Sequence, residues 1–143
     1  MLYTSKDVTN LLGIGKNQLS YLVKTRIIMP YEKVRGRGKV HKFSLENLVQ
    51  LAVIKELVNS GIELSFIEQL IESTNIFDLL KEGPSEIFLL VYKSINGITI
   101  KTVREFLDLE GDQVPRVYLT INLYEIMKEI EEKTGERFWR KGG

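Results

Sequence analysis

Cysteine is absent from the chain, which excludes disulfide bracing, thiolate metal sites and thiol redox sensing. Histidine occurs once, at His41, so neither a histidine-cluster metal site nor a Ser/His triad can be assembled. No apolar run approaches the roughly 20 residues that a membrane-spanning helix requires. The opening Met1-Leu2-Tyr3-Thr4-Ser5-Lys6 lacks the charged-then-apolar pattern of a secretory signal. No glycine-rich loop of the phosphate-cradling kind occurs. The acids Asp108, Glu110 and Asp112 lack the spacing of an EF-hand and read as a solvated loop. These absences predict a cytoplasmic protein that is not an enzyme, holds no cofactor or metal and stays off the membrane.

What is present is an ordinary globular balance, 43% hydrophobic and 27% charged residues, too apolar for a disordered chain. At 143 residues there is room for one domain or a small pair sharing an interface. The net charge of +1 conceals a strong asymmetry. Residues 1–44 carry nine Lys and Arg against Asp7 and Glu32, a net of +7, while residues 45–143 carry eleven bases against seventeen acids, a net of −6. A cationic head on an anionic body is the footprint of a polyanion binder whose other face avoids the polymer.

The head has a recognisable layout. Thr4 is placed to cap a first helix, with Asp7 as its capping-box partner and Val8, Leu11 and Leu12 as an apolar face. Gly13 suits a left-handed helix end and Gly15 the next cap. On the second helix Leu19, Leu22 and Val23 form the buried stripe, opposite Lys16, Asn17, Ser20 and Lys24, with Gln18 and Tyr21 on the flanks. Pro30 marks the stop after Ile27-Ile28-Met29. Asn17 and Gln18 carry the paired donor and acceptor that match adenine in the major groove. Lys16 and Lys24 suit phosphates. By itself this helix is better explained as an ordinary amphipathic helix with a solvated face.

The next segment favours the nucleic-acid reading. Arg35, Arg37, Lys39 and Lys42 sit among Val34, Val40 and Phe43, and Gly36 and Gly38 allow a tight turn. That pattern predicts a β-hairpin wing with cations at its tip, suited to the phosphate backbone or an adjacent minor groove. His41 reads as a further phosphate contact or as a satisfied surface imidazole. Ser44 caps a third, largely apolar helix through Val58, with Phe43 and Leu48 as a hydrophobic staple, and Gly61 closes it. A fourth helix from Leu64 to about Ser73 buries Leu64, Ile67, Leu70 and Ile71.

Several runs together resemble the N-terminal domain of MerR-type transcription regulators. They are Tyr3-Thr4-Ser5-Lys6-Asp7-Val8 through Gly13, Leu19, Ile27-Ile28-Met29-Pro30, Lys42-Phe43-Ser44-Leu45-Glu46-Asn47-Leu48 and Leu57-Val58-Asn59-Ser60-Gly61-Ile62-Glu63-Leu64-Ser65-Phe66-Ile67. The resemblance covers about residues 3–72 and implies a dimeric, DNA-binding bacterial or archaeal regulator. It also implies a recognition helix at Lys16–Thr25 and a wing at Arg35–Lys42. Where such proteins carry Leu-Arg-x-Tyr in the recognition helix, this chain has Leu19-Ser20-Tyr21-Leu22, and the usual wing arginine falls at His41.

The long dimerisation helix common in that family is not continued here. Ile76, Phe77, Leu79 and Leu80 allow at most two turns before Gly83-Pro84. Glu86 to Tyr92 then reads as a buried strand, Asn96-Gly97 as a two-residue hairpin turn, and Ile98 to Val103 as a half-buried strand. Arg104 to Leu109 fits either a strand continuation or a helical turn, and Val117–Ile121 a third strand. Asn122 caps a last helix with Leu123, Ile126, Met127 and Ile130 on its apolar face. The tail Arg137-Phe138-Trp139-Arg140-Lys141 is exposed or docks on a neighbour.

The predicted architecture is therefore α+β: a mainly helical, winged helix-turn-helix unit at residues 1–74 followed by a small β-β-β-α unit at residues 75–143. The second unit would dimerise through its sheet edges. The predicted partners are double-stranded DNA and a second copy of the chain, with any small-molecule effector left open. The function that follows is sequence-specific regulation of transcription. The alternative is an architectural or excisionase-like DNA adaptor with the same head and no promoter role.

Overall fold

The computed structural model describes residues 1–31, 41–73, 88–94 and 97–137. Helix α1 spans Ser5–Leu12. The Asp7 amide donates to the Thr4 hydroxyl at 3.2 Å, and the Asp7 carboxylate accepts from the Thr4 amide at 2.9 Å. The hydrogen bonds from Thr4, backbone first, hold the Asp7 carboxyl below its ordinary range. The stability contributed by this cap is thus complete above the ordinary carboxylate pKa and is lost as pH falls through the depressed one. Gly13 ends α1 at φ +69°, a backbone that a side chain would strain. Ile14, buried within the turn, pins α1 to helix α2, Lys16–Lys24.

Helix α2 ends where the resemblance implies, near Thr25, and well before the stop that Pro30 marks in the sequence. The Thr25 amide caps onto the Tyr21 carbonyl and Arg26 turns into the left-handed region at φ +64°. That conformation costs a non-glycine residue about 1 kcal/mol. It is offset by the Ile28 amide bonding Leu22 O at 3.1 Å and by burial of Ile27 and Ile28.

Helix α3, Leu45–Asn59, is the central beam. Leu48, Val49, Leu51, Val53, Ile54 and Leu57 are all buried around it, so no polar stripe remains. Ser44 caps it, and the expected staple of Phe43 and Leu48 is fully buried. Just before it, Tyr3 and Phe43 form an antiparallel bridge, each amide donating to the other's carbonyl at 2.8 Å. Helix α4, Leu64–Ser73, follows Gly61 and buries Ile67 and Leu70.

The described C-terminal elements are β1 (Phe88–Ser94), β2 (Gly97–Thr102), α5 (Val103–Leu107), a short 3-10 turn (Gly111–Gln113), β3 (Leu119–Asn122) and α6 (Leu123–Thr134). Here the order departs from β-β-β-α. Arg104 and its neighbours form the helix α5, which interrupts the strands. The sheet order is β2-β1-β3 with both pairings antiparallel, so β3 joins the far edge of β1. A buried central strand explains this arrangement: Leu90, Val91 and Tyr92 all need cover, and β1 is apolar on both faces. Val91 joins Ile121 in the main core, while Tyr92 meets Phe106 of α5 edge-on and Phe106 packs on Tyr118. Gly97 opens β2, opposite Ser94, whereas the sequence put it in the turn. Asn96, the other half of that predicted turn, lies outside the described residues, as do Gly83-Pro84 and the aromatic tail from Phe138.

Asn122 caps α6 as its position predicted, accepting from the Glu125 amide at 3.0 Å. Leu123, Met127 and Ile130 pack this helix onto α3, within the same continuous core as the N-terminal helices. Among the described residues no helix is long and apolar enough to cross a membrane.

Candidate nucleic-acid interface

Helix α2 is amphipathic because its apolar residues recur at i, i+3 and i+4. Leu19, Leu22 and Val23 face the core, which leaves Lys16, Asn17, Ser20, Tyr21 and Lys24 exposed and Gln18 half-buried. No side-chain hydrogen bond within the described residues occupies Asn17 or Gln18. The positive end of the α2 dipole and the free amides of its first turn lie beside Lys16, an arrangement that favours an anion.

A recess of about 280 Å³ runs along this helix, lined by Ser5 of α1, by Lys16, Leu19, Ser20, Val23 and Lys24 of α2, and by His41. The fold therefore brings Lys16, Ser20, Lys24 and His41 together although the sequence separates His41 from α2. Among the described residues the buried His41 Nδ1 has no hydrogen-bond partner. Lys42 is half-buried and stands apart from the recess, close enough to Asp7 at the start of α1 to help lower its carboxyl. Asn17, Gln18 and Tyr21 lie outside the recess on other sides of α2. Arg35, Arg37 and Lys39 fall outside the described residues.

Asn47 is the site residue that sequence reasoning passed over. Its side chain is buried, and its Oδ1 accepts from the Tyr31 amide at 3.1 Å and from the Ser44 amide at 3.0 Å. Its Nδ2 donates to Met29 O at 3.0 Å. One amide group thus ties together the two flanks of segment 32–43. The available signal was its place in the third position after the Ser44 cap, normally held by Glu or Gln. Asn47→Ala leaves Met29 O and two amides unpaired, so a stability loss of about 1–3 kcal/mol is expected. DNA affinity should fall with it while α2 persists; thermal melting and a binding titration check both.

Two helices joined through Gly13-Ile14-Gly15, with the second presenting polar and basic side chains, define a helix-turn-helix protein. The family model of MerR HTH family regulatory proteins matches residues 3–74, half of the chain, and the chain belongs to that family. It is accordingly a DNA-binding transcription regulator. Comparison with curated proteins returned no match.

Proposed function

We propose that the chain is a dimeric, sequence-specific regulator that lays α2 in the major groove of double-stranded DNA. Asn17, Gln18, Ser20 and Tyr21 read base edges, and Lys16, Lys24, His41 and Lys42 hold phosphates. Arg35, Arg37 and Lys39 form a basic wing on the backbone or the adjacent minor groove. The observation that carries this reading is the exposed polar face of α2, brought beside His41 in one cationic recess.

We assign dimerisation to the second of two units, residues 75–143. Its β2 and β3 are sheet edges, and Leu107 and Val117 are 75% and 81% exposed beside half-exposed Tyr118. Exposed apolar side chains and strands that end the sheet among the described residues favour pairing with a second copy. Site selection from random DNA with the full chain, followed by footprinting, tests the function. Two half-sites related by two-fold symmetry are expected; a single half-site, or no sequence preference, overturns it. In sedimentation the full chain should run as a dimer, and Leu107→Glu with Val117→Glu should shift it to monomer.

A further inference from the structure

The end of α6 reaches back to the first residues of the head. The Tyr3 hydroxyl donates to Glu136 Oε2, and Lys133 Nζ donates to Leu11 O at 3.1 Å. Tyr3 is also the residue whose main chain pairs in both directions with Phe43. Phe43 directly follows His41 and Lys42. A carboxylate two residues past the end of α6 therefore holds the residue whose backbone anchors the exit of the basic segment.

Burial and then the Glu136 hydrogen bond push the Tyr3 phenol up to about 12. The hydroxyl thus keeps its proton, and remains a donor, at every pH used to measure DNA binding. A hydrogen bond from a neutral hydroxyl to a charged carboxylate is stronger than one between neutral groups. Tyr3 itself is buried, so its ring has little freedom to move independently of Phe43. Glu136 lies beyond residues 3–74, and the family match does not account for it.

We propose that Glu136 is a positioning residue for DNA binding. Through Tyr3 and the Tyr3–Phe43 bridge it keeps His41 and Lys42 in register with α2, so that helix α6 sets the affinity of the head for DNA. The proposal rests on the reading of His41 and Lys42 as phosphate contacts. A partner or ligand that displaces α6 would change DNA affinity without touching the interface.

The test uses the full chain and its selected DNA site. Tyr3→Phe and Glu136→Ala should each weaken binding by roughly 2- to 30-fold, whereas Glu136→Gln, which still accepts the hydrogen bond, should keep most of the affinity. Glu136 is part-exposed, so its two variants are expected to fold, and thermal melting checks this. A double-mutant cycle separates positioning from general loosening. In a background carrying both His41→Ala and Lys42→Ala the Tyr3→Phe penalty should largely disappear; in a Lys24→Ala background it should persist in full. An equal penalty in both backgrounds, or none for either Glu136→Ala or Tyr3→Phe, overturns the positioning role alone. If Lys42→Ala and His41→Ala both leave binding unchanged, the contact reading beneath it fails as well.

Discussion

Raising the salt concentration from 50 to 200 mM should lower the affinity of the chain for DNA by roughly 10³ to 10⁵, if the bound dimer neutralises about six to ten phosphates. The motive is the net +7 of residues 1–44 against −6 for the remainder. Every phosphate contact releases condensed counterions, and salt opposes that release. Within this large effect two groups of variants should separate. Arg35→Ala and Arg37→Ala should weaken binding to all sequences alike and flatten the salt response. Asn17→Ala and Gln18→Ala should instead change the preferred sequence, by about 1–3 kcal/mol for each lost bidentate pair. Titration at four salt concentrations, on selected and scrambled sites, distinguishes them. A flat salt response would remove the electrostatic basis of the proposed interface.

Leu123→Ala should destabilise the whole chain by about 2–5 kcal/mol, the usual range for emptying a fully buried leucine site. Leu123 opens α6, is fully buried, and belongs to the same core as Leu48 and Leu51 of α3. Those residues lie on opposite sides of the boundary proposed at residue 75, so the loss should be felt on both sides of it. Helical and aromatic circular dichroism signals should then fall in one transition at a lower temperature. Two transitions, with only one displaced by the substitution, would show that α6 contributes nothing to the stability of the head. The same packing bears on DNA binding, because α3 carries Asn47 near one end and packs against α6.

The sequence by itself determined the features whose causes lie within a few residues of one another. Thr4 with Asp7, Ser44 before α3 and Asn122 before α6 cap where they were expected, since a cap needs only a short polar side chain and an amide three positions on. Gly13 ended α1 for an equally local reason, a left-handed backbone. The buried stripe of α2, and with it the exposed polar face, followed from helical spacing alone.

Tertiary structure decided what depends on residues far apart in the chain. Arg26, not Pro30, ended α2, because burial of Ile27 and Ile28 outweighed the cost of a left-handed arginine. Strand β3 paired with the second edge of β1, whose backbone groups needed partners, and α5 set Phe106 against Tyr92 of β1. His41 joined Lys16, Ser20 and Lys24 only when the residues just before α3 came to lie against α2. The Tyr3–Glu136 hydrogen bond joins positions 133 residues apart. Hydrophobic periodicity reports which face of an element is buried and carries no record of what buries it, so pairings of that span arise only when the core closes.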